Sequence, residues 1–329
     1  MRTTSLAIPL PVPDELRADQ SYGAILQRLS EMSVKKAHDP YLDIPWSAPE
    51  SAIEPGDPRL CIDPRHPLAQ TAWYEQLDAD TRARFGTEWL AQSLKYAIGM
   101  EAVLSRGLLM FAQTVGNRSP EYRYVMHEVV EESRHSQMFQ ELLDRLDADP
   151  VPVAAAERFF DDRVANTARY FPELFLISVL GGEIFIDRQN RDELRRPKSE
   201  VHPLIRRILQ IHVTEEARHV CFAEQYLKKH LPYIGARKRA TLKALAPILL
   251  WSPARMMLVP SPRLVRQFAI PQTALDQAFG AGSEHRKLLA RTVEPIRVLA
   301  AEHGFWWPAA WRRFGLATAR VSEERRSTS

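Results

Sequence analysis

A chain of 329 residues can bury one large core or two ordinary ones, and its composition, 45% hydrophobic and 26% charged, is that of a soluble globular protein. The net charge of +3 excludes a strongly basic nucleic-acid binder; clusters such as Arg237-Lys238-Arg239 read as solvated helix faces, with no interleaved aromatic residues for base stacking. Two cysteines, Cys61 and Cys221, and no apolar leader in Met1 to Pro13 point to a reducing, cytoplasmic compartment without a disulfide framework.

Residues 1–70 are rich in proline (Pro40, Pro45, Pro49, Pro55, Pro58, Pro64 and Pro67) and poor in periodic runs. They predict an extended arm packed on the core, with one short helix near Tyr22–Ser33. From about Thr71 onward, apolar residues recur every three or four positions, the mark of amphipathic helices. Four long helices are expected. The first spans about Thr87–Val115 and stops at Gly116-Asn117. The second opens on Ser119 as N-cap with Pro120 in its first turn and reaches about Leu146. The third spans about Pro172–Leu194 and the fourth about Pro203–Lys229. Further helices are expected at 236–250, 262–280 and 284–303. The apolar run Ala244 to Trp251 is too short to span a membrane and contains Pro247. Residues 71–316 are read as one helical domain and the polar stretch 317–329 as a disordered tail. Strand and hairpin signals are almost absent, so the class is all-α.

Two of these helices carry an expensive residue. Glu101 lies within Tyr96-Ala-Ile-Gly-Met-Glu-Ala-Val-Leu104, and Glu183 within a run that is apolar from Leu174 to Ile186. A helix apolar nearly all round is buried, and an ionised carboxylate buried without a partner costs several kcal/mol or more. Each must pair with an arginine, shift its pKa or bind metal. Glycines precede both, Gly99 in one case and Gly181-Gly182 in the other. They imply either close helix packing or a π-bulge that redirects the next side chain.

The other two long helices carry a repeated phrase, Glu131-Glu-Ser-Arg-His135 and Glu215-Glu-Ala-Arg-His219. Glu and His three apart share a helix face, so Glu132 with His135, and Glu216 with His219, can reach one site. Each copy follows a buried glutamate by a similar interval, 31 residues from Glu101 to Glu132 and 33 from Glu183 to Glu216. Two helix pairs related by a pseudo-two-fold axis follow. One Glu from each of two helices and Glu-x-x-His from each of the other two define a di-iron or di-manganese carboxylate bundle of ferritin-like architecture. Four carboxylates and two imidazoles without thiolate suit iron or manganese better than structural zinc, and their charge matches two divalent ions. Glu131 and Glu215 are expected to bond the far nitrogen of the opposite half's histidine, braced by Arg134 and Arg218. His212, four residues before Glu216, lies on the metal-facing stripe and is expected to be a further ligand; the corresponding place in the other half is Glu128.

This constellation resembles the p-aminobenzoate N-oxygenase family of di-iron oxygenases. The resemblance rests on Glu101, EESRH at 131–135, Glu183 and HVTEEARH at 212–219, and extends over about residues 60–310. It implies Glu101, Glu132, His135, Glu183, His212, Glu216 and His219 as ligands of two iron ions. It further implies O2 as oxidant, an aromatic amine carried to hydroxylamine, nitroso and nitro stages, an external electron donor and a homodimer, with no membrane or nucleic acid involved. Asp187, one turn after Glu183, departs from the neutral residue usual there; it either assists proton delivery, alters the substrate or pairs with an arginine such as Arg188. Arg291 falls near the family's carboxylate-binding arginine, with Arg297 as the fallback. A radical-generating reductase subunit would want a tyrosine where Phe139 stands. An iron-storage protein would not need the long segment after His230. Oxidation at carbon, by a hydroxylase or desaturase, is the competing chemistry.

Overall fold

The computed structural model describes residues 22–146, 148 and 155–317. The expectations for the start of the arm, for the absent leader and for the tail at 318–329 concern residues outside these. Every regular element among the described residues is helical, so the protein is all-α.

The arm is more structured than an extended strap. Its helix α1, Tyr22–Lys35, buries Ile25, Leu26 and Leu29 in the main core, against helices described below. Three short 3-10 turns follow, Pro49–Ser51, Pro58–Leu60 and Pro67–Gln70. Each opens on a proline whose fixed φ suits a first helical position and whose missing N–H costs nothing there. After the single turn α2, Ala72–Glu75, comes the long α3, Ala79–Ala112, which starts well before the expected Thr87. Asp78 is its cap, with Oδ1 accepting from the Thr81 N–H at 2.7 Å. Gly86 lies inside α3 for a tertiary reason. A Cβ there would sit 1.8 Å from the Leu60 carbonyl oxygen, so the arm can approach α3 this closely only over glycine.

Helix α4, Pro120–Arg145, has the expected Ser119 cap, whose Oγ accepts from Tyr122 N–H at 3.1 Å. Helix α5, Ala155–Tyr170, is absent from the sequence expectation. Helices α6, Pro172–Leu194, and α7, Pro203–His230, match their expected spans closely. Short connections fold α3 against α4 and α6 against α7, and the two pairs close into a ferritin-like four-helix bundle. α5 covers α3 and α6, while α1 lies on α4 and α7.

Helix α8, Ala236–Leu258, runs on past its expected end at 250, with Pro247 and Pro253 inside it. Interior prolines cost roughly 3 kcal/mol each; here Leu242, Ala246, Leu249, Leu250 and Ala254 are buried as α8 packs on α6, which offsets that cost. By length and composition alone the stretch Ala236–Gln267 could cross a membrane; within it, α8 packs one face on α6. The two remaining expected helices are each divided. α9, Pro262–Gln267, and α10, Gln272–Phe279, are separated at Ala269, whose φ of 47° lies in the left-handed region, and at Pro271. α11, Glu284–Thr292, and α12, Glu294–Glu302, are separated at Val293, and Pro295 begins the new first turn. α13, Pro308–Arg313, ends the described chain, with Trp311 fully buried.

Candidate metal centre

The bundle brings together the seven residues expected to hold metal. Glu101 comes from α3, Glu132 and His135 from α4, Glu183 from α6, and His212, Glu216 and His219 from α7. None is more than 1% exposed. α6 is α-helical through Gly181-Gly182, where added Cβ atoms would meet Leu250 and the tip of Met100. Close packing, rather than a π-bulge, accounts for those glycines.

The two central carboxylates each face both halves of the site. Glu132 Oε2 lies 3.2 Å from His135 Nδ1 while its Oε1 lies 3.0 Å from His219 Nδ1. Glu216 does the same, with Oε1 3.2 Å from His135 Nδ1 and Oε2 3.1 Å from His219 Nδ1. Two carboxylates that each present one oxygen to each of two imidazoles are arranged as bridges between two cation positions. Glu101 Oε1 stands 3.9 Å from His135 Nδ1, and Glu183 lies against Glu216, with ligand atoms of Glu101, Glu132 and Glu183 within 4.8 Å of one another.

Behind the histidines sits a second layer of carboxylates, crossed between the halves. Glu215 Oε2 is 2.9 Å from His135 Nε2, and Glu131 Oε2 is 2.9 Å from His219 Nε2. With Nε2–H donating outward, each Nδ1 keeps its lone pair toward the centre. Arg218 donates from Nη2 to Glu131 Oε1 at 2.7 Å and lies 3.8 Å from Glu215. Arg134 is corrected: it makes no described contact with Glu131 or Glu215. Its place at Glu215 is taken by His38 of the arm, with Nδ1 3.0 Å from Oε1. No spacing in the sequence links His38 to a residue 177 positions away.

His212 Nε2 faces Glu101 Oε1 at 3.5 Å and Glu216 Oε1 at 3.4 Å. Its Nδ1 lies 3.0 Å from the side-chain amide of Asn190. The amide atom that faces Nδ1 is Nδ2, whose N–H donates to it; only the flipped amide, with Oδ1 in that place, would accept from Nδ1–H and leave the Nε2 lone pair for a ligand. Asn190 was not anticipated.

The protein's own charges leave the site short of cations. Burial raises Glu101 well above the usual carboxylate range, with Glu132 adding to it, and raises Glu183 likewise, with Glu216 adding. Burial opposes ionisation of Glu132 too, but His219 and His135 hold it down to about 2. Burial disfavours the charged forms of His135 and His219, yet the surrounding carboxylates raise both. Oxygens of Glu101, Glu132, Glu183 and Glu216 are buried without a hydrogen-bond partner. Buried, unpartnered oxygens converging with imidazole nitrogens are what a pair of metal ions would satisfy.

A cavity of about 600 Å³ adjoins the centre. Phe139, whose ring lies 5.1 Å from that of His212, and Asn190 form its inner wall, with Leu94, Phe185 and Ile186 continuing the apolar lining. Arg188 and Arg291 lie in the same cavity wall. Arg188 is pushed down chiefly by burial and also by the positive charge of Arg291, and its Nε is buried without a hydrogen-bond partner. Arg297 is elsewhere, paired with Glu294 and packed on Trp306. Asp187 is bound through both oxygens to Arg191 Nε, at 2.8 and 2.7 Å. Its partner is therefore Arg191 and not Arg188.

A family model described as "P-aminobenzoate N-oxygenase AurF" matches residues 19–304. An uncharacterized protein of Mycobacterium bovis and one of Mycobacterium tuberculosis are each 36% identical to the chain over 297 residues, covering 89% of it and 87% of their own lengths. No solved structure matches significantly.

Proposed function

We propose, from the fact that this chain belongs to the p-aminobenzoate N-oxygenase family, that it is a di-iron monooxygenase that uses O2 to oxidise the nitrogen of an aromatic amine. The observation that carries the proposal is the pair of carboxylates, Glu132 and Glu216, each facing both His135 and His219 beside a cavity of small-molecule size. Two iron ions, or manganese in the same donor set, would be held by Glu101, Glu132, His135, Glu183, His212, Glu216 and His219. When bound, such a pair supplies the activation of O2 and the redox capacity that no side chain has.

The chain's own residues then have distinct tasks. Glu131 and Glu215 hold the two Nδ1 lone pairs inward, and Arg218 and His38 hold those carboxylates in turn. Phe139, Phe185 and Ile186 exclude water from the inner end of the cavity and offer an apolar surface to an aromatic ring. Arg291, with Arg188 beside it, supplies positive charge for an anionic group on the substrate. Asp187 faces Glu216 electrostatically and is raised by burial, though Arg191 opposes this; it is the carboxyl suited to passing a proton toward the centre. An external reductant, a homodimeric assembly and a cytoplasmic location complete the reading.

The test is to load the protein with Fe(II), add a reductant and isotopically labelled O2, and offer a panel of aminoarenes with and without a carboxylate. Label on the amine nitrogen, as hydroxylamine, nitroso or nitro product, is the expected result. Label on carbon alone, or iron uptake with no turnover of any amine, would overturn the reading in favour of a carbon oxygenase or an iron-binding protein.

A further inference from the structure

One buried carboxylate at the centre has no task so far. Glu128 lies on α4 one turn before Glu132 and is fully buried. Both of its oxygens lack a hydrogen-bond partner. The phenol of Tyr124, one turn earlier and equally buried, makes no hydrogen bond to it and is itself unpartnered. A fully buried acid with both oxygens unsatisfied is among the costliest arrangements a fold can keep.

Its position accounts for that cost. Ligand atoms of Glu128, Glu132 and His219 lie within 4.8 Å of one another, as do those of Glu101, His135, His212 and Glu216. The register is the same in both halves: Glu128, Glu132 and His135 on α4 repeat the spacing of His212, Glu216 and His219 on α7. His212 serves the position of His135 and Glu101, whereas Glu128 stands at the position of His219.

We propose that Glu128 is an eighth protein ligand, the carboxylate counterpart of His212 on the second metal position. The proposal rests on the di-metal reading above. With Glu183 assigned to the second position by the pseudo-two-fold repeat of the helices, each position has the same number of protein residues: the two bridges Glu132 and Glu216, one of His135 or His219, one of Glu101 or Glu183, and one of His212 or Glu128. The halves differ in chemistry and not in number. The His219 side has one more negative charge, which suits a ferric ion better than a ferrous one, and the His135 side has one more imidazole.

The test is anaerobic Fe(II) titration and Mössbauer spectroscopy of the full-length protein, its Glu128→Gln variant and its His212→Gln variant. The wild-type chain should take up two Fe(II). Glu128→Gln should retain one equivalent and bind the other at least about tenfold more weakly. One quadrupole doublet should change, and it should be the one that His212→Gln leaves alone. A Glu128→Gln protein with two equivalents at unchanged affinity and both doublets intact would overturn the proposal while leaving the di-metal reading standing. A wild-type chain that does not hold two metal ions would overturn that reading and this one with it. Should Glu128→Gln fail to fold, Glu128→Asp, which keeps the charge but draws the oxygens back by one methylene, decides the matter by the same spectrum: a shifted doublet supports ligation and an unchanged pair refutes it.

Discussion

Arg218 and Glu131 meet across the bundle with both side chains buried. The guanidinium of α7 donates to Glu131 Oε1 at 2.7 Å, and the other oxygen of that carboxylate faces His219 Nε2 at 2.9 Å. A cation on α7 therefore orients, through a carboxylate on α4, a histidine one residue along its own chain. Replacing Arg218 by Met leaves Glu131 buried without its guanidinium partner. Iron affinity should fall about 10- to 100-fold and folding stability by roughly 3–5 kcal/mol, read by Fe(II) titration and urea unfolding. A folded Arg218→Met protein with wild-type iron affinity would remove Arg218 from this role.

The other half is braced from the arm. His38→Ala should weaken iron binding by about tenfold, because Glu215 loses the partner 3.0 Å away on its Oε1. Arg134→Ala should leave iron binding unchanged. The reverse pattern in a Fe(II) titration would restore the arginine and dismiss the histidine.

Gly86→Ala tests the closeness of arm and bundle. The helix gains roughly 1 kcal/mol of propensity, but the new methyl would lie 1.8 Å from the Leu60 carbonyl oxygen, a backbone atom that moves only with the whole turn. Net destabilisation of about 1–3 kcal/mol is expected, with helical circular dichroism retained. An increase in stability would show that the arm is free to lift.

His285 should make the protein acid-sensitive outside the metal centre. It is buried against Phe279, and burial, aided by Arg286, lowers its pKa from 6.5 to about 4. Folded, the imidazole stays neutral; unfolded, it takes up a proton below 6.5, so the unfolded chain binds more protons between those values. Its contribution to stability is complete above pH 6.5 and declines as pH falls toward 4, by up to roughly 3 kcal/mol. Urea unfolding of the wild type and of His285→Phe at pH 7.5 and pH 4.5 should show a smaller loss in the variant. Equal losses would mean that the imidazole does not titrate with folding.

Features carried by covalent neighbours were readable in the sequence. The cap Ser119-Pro120, the spans of α6 and α7, and the sharing of a helix face by Glu132 with His135 and Glu216 with His219 depend only on helical geometry over a few residues. The all-α class followed from the same periodicity, and the cost of burying Glu101 and Glu183 pointed to the centre on which they converge. What reached across the chain was not readable. Gly86, inside the first turns of α3, has its reason in a carbonyl on the arm. The continuation of α8 past residue 250, through Pro253, depends on its seat against α6. The break at Ala269 depends on a backbone conformation that its side chain does not announce.

The same division holds at the metal centre. By itself the sequence determined that two Glu-x-x-His helices and two glutamate-bearing apolar helices exist, because those are statements about composition and helical period. Only the tertiary structure decided who stands behind whom: Glu131 behind His219, Glu215 behind His135, His38 in place of Arg134, Asn190 behind His212 and Arg191 on Asp187. It also changed the apparent symmetry. His212 makes the two halves look unequal in the sequence, but the packing of α4 against α7 sets Glu128, with both oxygens unpartnered, beside His219. Distances between helices come from side chains interlocking across the whole core, and no local stretch of residues encodes them.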